Sequence, residues 1–241
     1  SPYAIITPGI LSDFLSSPDD KNQKAIFSNF TKFIRLIATF ITLLLPGLYI
    51  AITSFHQEIL PTELLFSILA SRANVPFPII FELLVLELSF ELIREAGLRV
   101  PSPIGPTIGI VGALVMGQAA VSAGIVSPIL IIIVAITGTA SFAIPDYAFG
   151  FHLRVYRFVF IFLGYLCGSL GIALGLFAYM IATCDSKSFG VPYTVGISPF
   201  ERIKGTSYYL PSIEKREYRS GFLNSKKETK QGHISMKWKR T

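Results

Sequence analysis

The chain has 241 residues, of which 51% are hydrophobic and only 15% are charged, and its net charge is +6. An ordinary soluble domain carries about 25% charged residues, so this composition excludes a disordered chain, a nucleic-acid-binding module and a typical soluble enzyme. It indicates a membrane protein. Cys167 and Cys184 are the two cysteines, which excludes a disulfide framework or a thiolate metal cluster.

Residues 1–30 differ in character from the segment that follows them. They begin with a short apolar run of β-prone residues, and Pro8-Gly9 then marks a turn. We interpret 1–30 as the end of a truncated cytoplasmic N-terminal domain together with the linker into the membrane. On this interpretation we expect an N-terminal part of the protein to precede Ser1.

Three stretches contain no Asp, Glu, Lys or Arg over 22, 46 and 27 residues. A helix that crosses a bilayer needs about 20 apolar residues, so the longest stretch has room for two helices. The predicted fold is an all-α membrane protein, a bundle of about four transmembrane helices plus one amphipathic or re-entrant helix. The transmembrane domain is predicted at 31–184, with spans at 34–54, 104–124, 128–145 and 156–182.

Two of these spans contain residues that shape helices. Pro46 predicts a kink in the first span, because proline removes one backbone hydrogen bond. In the last span, Gly164, Gly168, Gly171 and Gly175 recur at intervals of four, three and four residues. Such spacing predicts a face on which another helix packs closely.

The segment 78–99 is the predicted amphipathic or re-entrant helix. Its charged residues Glu87, Glu91, Arg94 and Glu95 share one helical face, and the other face is Ile, Leu, Val and Phe. Such a helix either lies at the membrane interface or enters the bilayer with its acids facing protein or water.

The acids of this segment have two interpretations. Glu82, Glu87 and Glu91 can attract cations at the mouth of a channel, or they can pair with Arg94 or Arg72. The sequence leaves the two alternatives open.

The span 104–124 has the sharpest pattern. Small residues recur every four positions, at Gly105, Gly109, Ala113 and Gly117. Such a ladder lets helix backbones approach closely in lipid. The opposite stripe carries Thr107, Val111, Leu114 and Gln118. This stripe is typical of a pore wall with a hydrophobic gate; alternatively the ladder packs helices and the stripe faces lipid. An unpaired amide in hydrocarbon is costly, so Gln118 argues against lipid.

Charge predicts an orientation in the membrane. The segment 185–241 has 12 Lys and Arg but 5 Asp and Glu, a net of +7, and the rest of the chain has a net of −1. Basic segments beside a span stay in the cytoplasm, so 185–241 is predicted to be a basic cytoplasmic tail. Both ends inside require an even number of crossings, which four spans and a non-crossing 78–99 provide. This arrangement puts Arg154 and Arg157 outside; if 78–99 crosses, they move inside and the tail moves out.

No catalytic pattern is present in the sequence. His56, His152 and His233 are far apart and lack metal-ligand spacing, and no Ser or Cys stands in a nucleophile motif. The glycines lie in apolar helices rather than in a phosphate-binding loop after a strand. We therefore expect neither an enzyme nor a bound cofactor or metal.

Several runs resemble one family, the A subunits of GerA-type spore germinant receptors, specifically their C-terminal membrane domain. Together the runs are highly specific, and the resemblance covers about the first 200 residues. They are SFHQEILPTELL (54–65), VPFP (75–78), ELIREAGLRVPSPIG (91–105), IGIVGALVMGQAAVSAGIVSP (108–128), SFAIPDY (141–147) and SFGVPY (188–193).

The resemblance implies a location, partners and an activity. Members of this family lie in the inner membrane of bacterial endospores, with a transporter-like B subunit that senses nutrient and a lipoprotein C subunit. The A subunit is implied to form a homo-oligomer, a pentamer, that acts as a nutrient-gated ion channel and releases monovalent cations early in germination. The constricting position of the family falls on Leu114.

Two departures from the family pattern matter. Many members have Gln where Pro106 stands and Glu where Ser122 stands, which puts an inference about cation selection in doubt. A related branch acts as an accessory channel, and these residues do not separate the branches. Two further functions stay open, a secondary transporter subunit and a non-conducting scaffold of the receptor complex.

Overall fold

The computed structural model describes residues 7–99, 112 and 115–196. The chain is mainly helical, as predicted. Short 3₁₀ turns at Pro18–Lys21 and Gln57–Ile59 follow α1 and α2, and the strands β1 (Lys187–Ser188) and β2 (Val191–Pro192) pair antiparallel after the last helix. The helices are α1 (Leu11–Phe14), α2 (Ala25–Phe55), α3 (Thr62–Arg72), α4 (Ile79–Arg99), α5 (115–122), α6 (Pro128–Phe142) and α7 (Tyr147–Asp185).

Two helices, α2 and α7, are long and apolar enough to cross a bilayer. α2 has 31 residues and continues through Pro46 as one helix. Several large apolar side chains of α7 are exposed, namely Leu166, Leu170, Leu174, Phe177, Met180 and Ile181. A soluble protein rarely exposes so much apolar surface in one place, so these helices indicate membrane association.

The predicted spans correspond unequally to these helices. The span 34–54 lies within α2, 156–182 lies within α7, and 128–145 begins with α6. Ten of the 21 residues of 104–124 lie outside the described residues, namely 104–111, 113 and 114. The predicted segment 78–99 is confirmed as a helix, α4.

α7 is divided at Gly168, whose backbone angles of φ 61° and ψ −144° are not helical. A Cβ atom at Gly175 would lie 2.5 Å from the side chain of Leu163, although residues 12 apart in a straight helix are separated by about 18 Å. The second leg of α7 therefore folds back along the first. The prediction of one continuous span at 156–182 is wrong on this point, because its glycines permit both a sharp reversal and tight packing of the two legs.

The chain forms two compact units, and the described part of the first comprises residues 7–37, Ala143–Gly150 and 176–196. Within it, the backbone N–H of Leu11 donates to the carbonyl of Tyr193 at 2.8 Å. The Phe14 ring lies 5.9 Å from that of Phe149 and 5.8 Å from that of Tyr193. The segment before α2 therefore packs against the start of α7 and against the chain that follows α7.

Two aspartates of the first unit, which precede α2 and α7, make polar contacts near the starts of these helices. Asp20 accepts a hydrogen bond from the backbone of Ser17 and pairs with Arg35 of α2 at 2.5 Å. Asp146 caps α7 by accepting from the backbone N–H of Phe149 at 2.7 Å. Burial, with smaller contributions from Tyr179 and Asp146, raises the pKa of Tyr193 to about 12.

The second unit comprises Ala38–Phe142 and Phe151–Gly175. Four helices contribute to its apolar core, because each presents branched side chains on one face. The buried members are Tyr49, Ile50, Ile79, Leu83, Leu86, Val126, Leu130, Val134 and Ile161.

In this second unit, α2 and the first leg of α7 run in the same direction at very short range. A Cβ atom on Gly164 would lie 2.5 Å from the carbonyl oxygen of Gly47, and Gly168 lies against the Phe55 ring. At the same end, His56 and Ser169 share a hydrogen bond of 3.1 Å. The spacing of small residues correctly predicts the close approach at Gly164.

The remaining helices of the second unit alternate in direction. α4 runs opposite to the first leg of α7, because Glu87 faces Arg157 while Glu91 faces both Arg154 and Arg157. α6 runs parallel to α4, since its N-terminal end lies by the start of α4 and the Phe90 ring packs at Gly138 further along both helices. α5 packs against both and runs opposite to them, since Gly117 lies near Ile131 of α6 and Gly124, after α5, lies near the Asn74 carbonyl before α4.

Candidate functional site

A buried charge cluster joins α4 to α7, and its members are Glu87, Glu91, Arg94, Arg154 and Arg157. Glu87 and Arg157 have no exposed side-chain surface, and their charged atoms lie 2.7 Å apart. Glu91 bridges the arginines, at 3.1 Å from Arg157, 3.6 Å from Arg154 and 3.7 Å from Arg94. Charged side chains inside an apolar helical bundle are stabilised by such pairing.

Arg94 extends the cluster to α6. Its Nη2 donates to Ser141 Oγ at 2.5 Å and to the Gly138 carbonyl at 3.4 Å. Its guanidinium carbon also lies 4.3 Å from the centre of the Phe142 ring, within range of a cation–π interaction. One arginine therefore connects α6 to the α4–α7 pairing.

The central pair is close but incompletely hydrogen-bonded. Among the described residues, neither carboxylate oxygen of Glu87 has a hydrogen-bond partner, and the Nε and Nη1 atoms of Arg157 have none either. The charges lie 2.7 Å apart, so they attract each other, although no hydrogen bond from the described residues satisfies either oxygen of Glu87. Buried charges without full hydrogen bonding are costly to hold.

Glu82 forms a second buried contact, near the start of α4. It accepts a hydrogen bond from Arg72 at 3.1 Å and another from the backbone N–H of Ser127 at 3.0 Å. This single carboxylate therefore fixes α3, α4 and the N-terminal end of α6.

The three predicted acids are thus all paired with arginine where the structure describes them. Glu82 and Glu87 are buried, and Glu91 is partly exposed. The attraction of cations by these acids stays a prediction.

Sequence reasoning missed the role of Arg154 and Arg157. The four-crossing arrangement put both on the outer side of the membrane, and this topology stays a prediction. In the structure both are buried within the second unit, next to the acids of α4. Two arginines three residues apart in an apolar helix, and acids four residues apart in another, were the available signal.

The described part of 104–124 presents two different faces. Gly117 lies against α6, where an added Cβ atom would be 3.8 Å from the Ile131 side chain. Gln118, Ala119 and Ser122 are exposed. The other predicted residues lie outside the described residues, namely Thr107, Val111 and Leu114 of the stripe and Gly105, Gly109 and Ala113 of the ladder.

An apolar groove lies beside α5. Ser89 is the one polar side chain among its lining residues, which come from α4, α5 and α6. They are Leu86, Ser89, Phe90, Ile93, Met116, Gly117, Ile131, Val134 and Ala135. The groove shows that α5 rests on α4 and α6 together.

Comparison with known proteins identifies the family. The sequence model of the Bacillus/Clostridium GerA spore germination protein matches residues 1–219. The chain belongs to this GerA family. Spore germination protein KA of Bacillus subtilis (strain 168) is 42% identical over 213 residues, covering 88% of this chain and 39% of that protein. Spore germination protein A1 of the same organism is 45% identical over 193 residues, covering 80% and 40%.

Other relatives give the same picture. Spore germination protein GerLA of Bacillus cereus is 43% identical over 199 residues, covering 83% of this chain and 40% of that protein. The GerA-family chain described here therefore spans about two-fifths of the length of these curated relatives. No solved structure matches it significantly.

Proposed function

We propose that the chain is the membrane part of the A subunit of a germinant receptor in the inner membrane of bacterial endospores. In this proposal several copies, five in number, form a ring that releases monovalent cations when nutrient is sensed. A transporter-like B subunit and a lipoprotein C subunit complete the complex. Membership of the GerA family supports the role in germination.

The observation that carries the channel proposal is the exposure of an amide and a hydroxyl on α5. Gln118 and Ser122 are exposed there together with Ala119 and Val115, whereas the exposed side chains of α7 include Leu166 and Leu170. An amide in hydrocarbon without a partner costs several kcal/mol, about 4–8 on a cyclohexane scale. The exposed amide of Gln118 therefore favours contact with water over contact with acyl chains.

The packing of α5 on α6 also supports a pore-facing orientation of the stripe that contains Gln118. Gly117 belongs to the small-residue ladder and lies on α6, so the opposite stripe is free to face the axis of a ring. By its helical spacing Leu114 belongs to the stripe of Gln118.

The proposed gate is a ring of Leu114 side chains that excludes water when the channel is closed. Nutrient bound elsewhere in the complex opens the ring only to the extent that it binds the open state more tightly than the closed one. Thr107 and Gln118 would supply polar groups on either side of the constriction.

Cysteine accessibility tests which surface meets water. Gln118→Cys and the matched control Leu170→Cys are made in the full-length protein with Cys167→Ser and Cys184→Ser. We expect a charged thiol reagent to modify position 118 and alter single-channel current, and to leave position 170 unmodified because lipid covers it. Equal protection of both positions in the assembled oligomer would refute the pore.

Bilayer recording of the full-length protein tests conduction itself. Leu114→Ala should leak ions or allow germination without nutrient, because a smaller side chain no longer excludes water. Unchanged conductance and germination would remove Leu114 from the gate. Saturable substrate flux without channel currents would instead identify a transporter, and correct assembly without any flux would identify a scaffold.

A further inference from the structure

α4 contacts both α7 and α5 within the second unit. On one side its carboxylates reach Arg154 and Arg157 of α7. On the other side α4 packs against α5 and against Gly112, which precedes α5. An added Cβ atom at Gly112 would lie 3.8 Å from Ile93, and Met116 of α5 lines the apolar groove together with residues of α4. A shift of α4 relative to α7 therefore shifts the support of α5.

The pair Glu87–Arg157 is suited to having two states. In the described arrangement it is fully buried with its charged atoms 2.7 Å apart, yet several of its polar atoms lack hydrogen-bond partners among the described residues. Water that entered between α4 and α7 would supply those hydrogen bonds and weaken the attraction. The close pair and a separated pair with water between the charges are thus competing arrangements of the same groups.

We propose that Glu87 and Arg157 are positioning residues of the gate, which hold α4 against α7 in the closed channel and separate when it opens. This inference rests on the proposed function, because it concerns the regulation of the α5 pore. The other charged groups that face the pair are Glu91, Arg94 and Arg154. Glu91 lies 3.1 Å from Arg157, so Glu91 still provides a negative charge beside that arginine when Glu87 is neutralised.

The test uses full-length protein in its receptor complex in spores. We expect Glu87→Gln to raise basal cation release and to lower the nutrient concentration for half-maximal germination by about tenfold, a usual size for coupling between sites. The exchange Glu87→Arg with Arg157→Glu should return both values towards wild type. Glu63→Gln, an exposed acid on α3, is the matched control and should change neither value.

A merely structural role predicts a different pattern. If the pair only stabilises the fold, each substitution lowers activity in proportion to the loss of receptor from the membrane. Receptor abundance is therefore measured for each variant. If Glu87→Gln does not accumulate, Glu87→Asp keeps the charge and shortens the side chain, and a smaller shift in the same direction is expected. An unchanged nutrient dependence, or a double exchange no better than the single variants, would overturn the proposal.

The reactivity of Gln118→Cys separates this inference from the proposed function. Faster modification without nutrient in the Glu87→Gln background supports both. If the cysteine at position 118 is modified in the wild-type background and Glu87→Gln leaves its modification rate unchanged, the pore is supported and the positioning role is refuted. If the cysteine at position 118 never reacts while the charge exchange still restores the nutrient dependence, the pore is refuted and the coupling of Glu87 to Arg157 is supported.

Discussion

The contact between Gly164 of α7 and Gly47 of α2 gives a stability prediction with a clear sign. A Cβ atom on Gly164 would lie 2.5 Å from the carbonyl oxygen of Gly47. An ordinary contact is about 3.5 Å, so alanine at 164 requires the two helices to separate by about 1 Å. Backbone atoms line this contact, and no side chain can rotate away to relieve it.

The expected change follows from two opposing contributions. Overpacking of this kind costs about 1–3 kcal/mol, while alanine favours a helix over glycine by about 0.5–1 kcal/mol. Gly164→Ala should therefore lower the free energy of unfolding by about 0–2.5 kcal/mol. The measurement is unfolding of the purified full-length protein in detergent by increasing SDS, followed by circular dichroism.

Gly150→Ala is the matched control in the same helix. A Cβ atom at Gly150 would meet only the Ile144 side chain, at 3.9 Å. The variant should be as stable as wild type or more stable by up to about 1 kcal/mol. If Gly164→Ala stabilises the protein as much as Gly150→Ala does, the two helices are not in backbone contact and the reasoning fails.

Two further substitutions should destabilise the protein in the same assay. Gly168→Ala should cost about 1–3 kcal/mol, because its φ of 61° and ψ of −144° lie in a region that is essentially restricted to glycine; a fully stable variant would mean that α7 does not reverse at this residue. Glu82→Gln should cost about 1–3 kcal/mol, because the carboxylate accepts from both Arg72 and the Ser127 backbone. Glu63→Gln on the exposed surface is its control, and an equal loss there would refute the assignment.

The sequence predicts helices well in this chain because charge-free length is a direct physical requirement of the bilayer. The absence of charges over 22 residues alone locates the span within α2. The same signal could not show the reversal at Gly168. Glycines at intervals of four and three predict a close-packed face, but they do not say whether the neighbour is another helix or the second leg of the same one.

The charge cluster was predictable only in part. Helical spacing puts Glu87 and Glu91 on one face of α4. Their partners lie on α7, and Glu91 and Arg157 are 66 residues apart in the chain. Periodicity within one helix contains no information on which helix will be its neighbour. Pairing was therefore one of two open alternatives until the fold brought the arginines next to the acids.

From the alternating directions of the described helices we predict six membrane crossings rather than four, although only α2 and α7 are long and apolar enough by themselves to cross a bilayer. α2 and the first leg of α7 run one way, α4 and α6 run the other way, α5 opposes both α4 and α6, and the second leg of α7 returns along the first. In the first unit the Phe14 ring packs on Phe149, so the start of α7 lies on the same side as the segment before α2. In the second unit Gly124 lies against the Asn74 carbonyl, so the end of α5 lies on the side of α3.

Single cysteines distinguish the two arrangements, because they predict opposite sides for the same residues. Four crossings with α4 outside put Ala123 in the cytoplasm and Tyr147 outside, whereas six crossings put Ala123 outside and Tyr147 in the cytoplasm. Both residues are exposed, so Ala123→Cys and Tyr147→Cys are suitable probes in the full-length protein without Cys167 and Cys184. We expect a membrane-impermeant reagent added outside to label position 123 alone. Labelling of position 147 alone would restore four crossings, and it would mean that α4 carries its buried charges without spanning the bilayer.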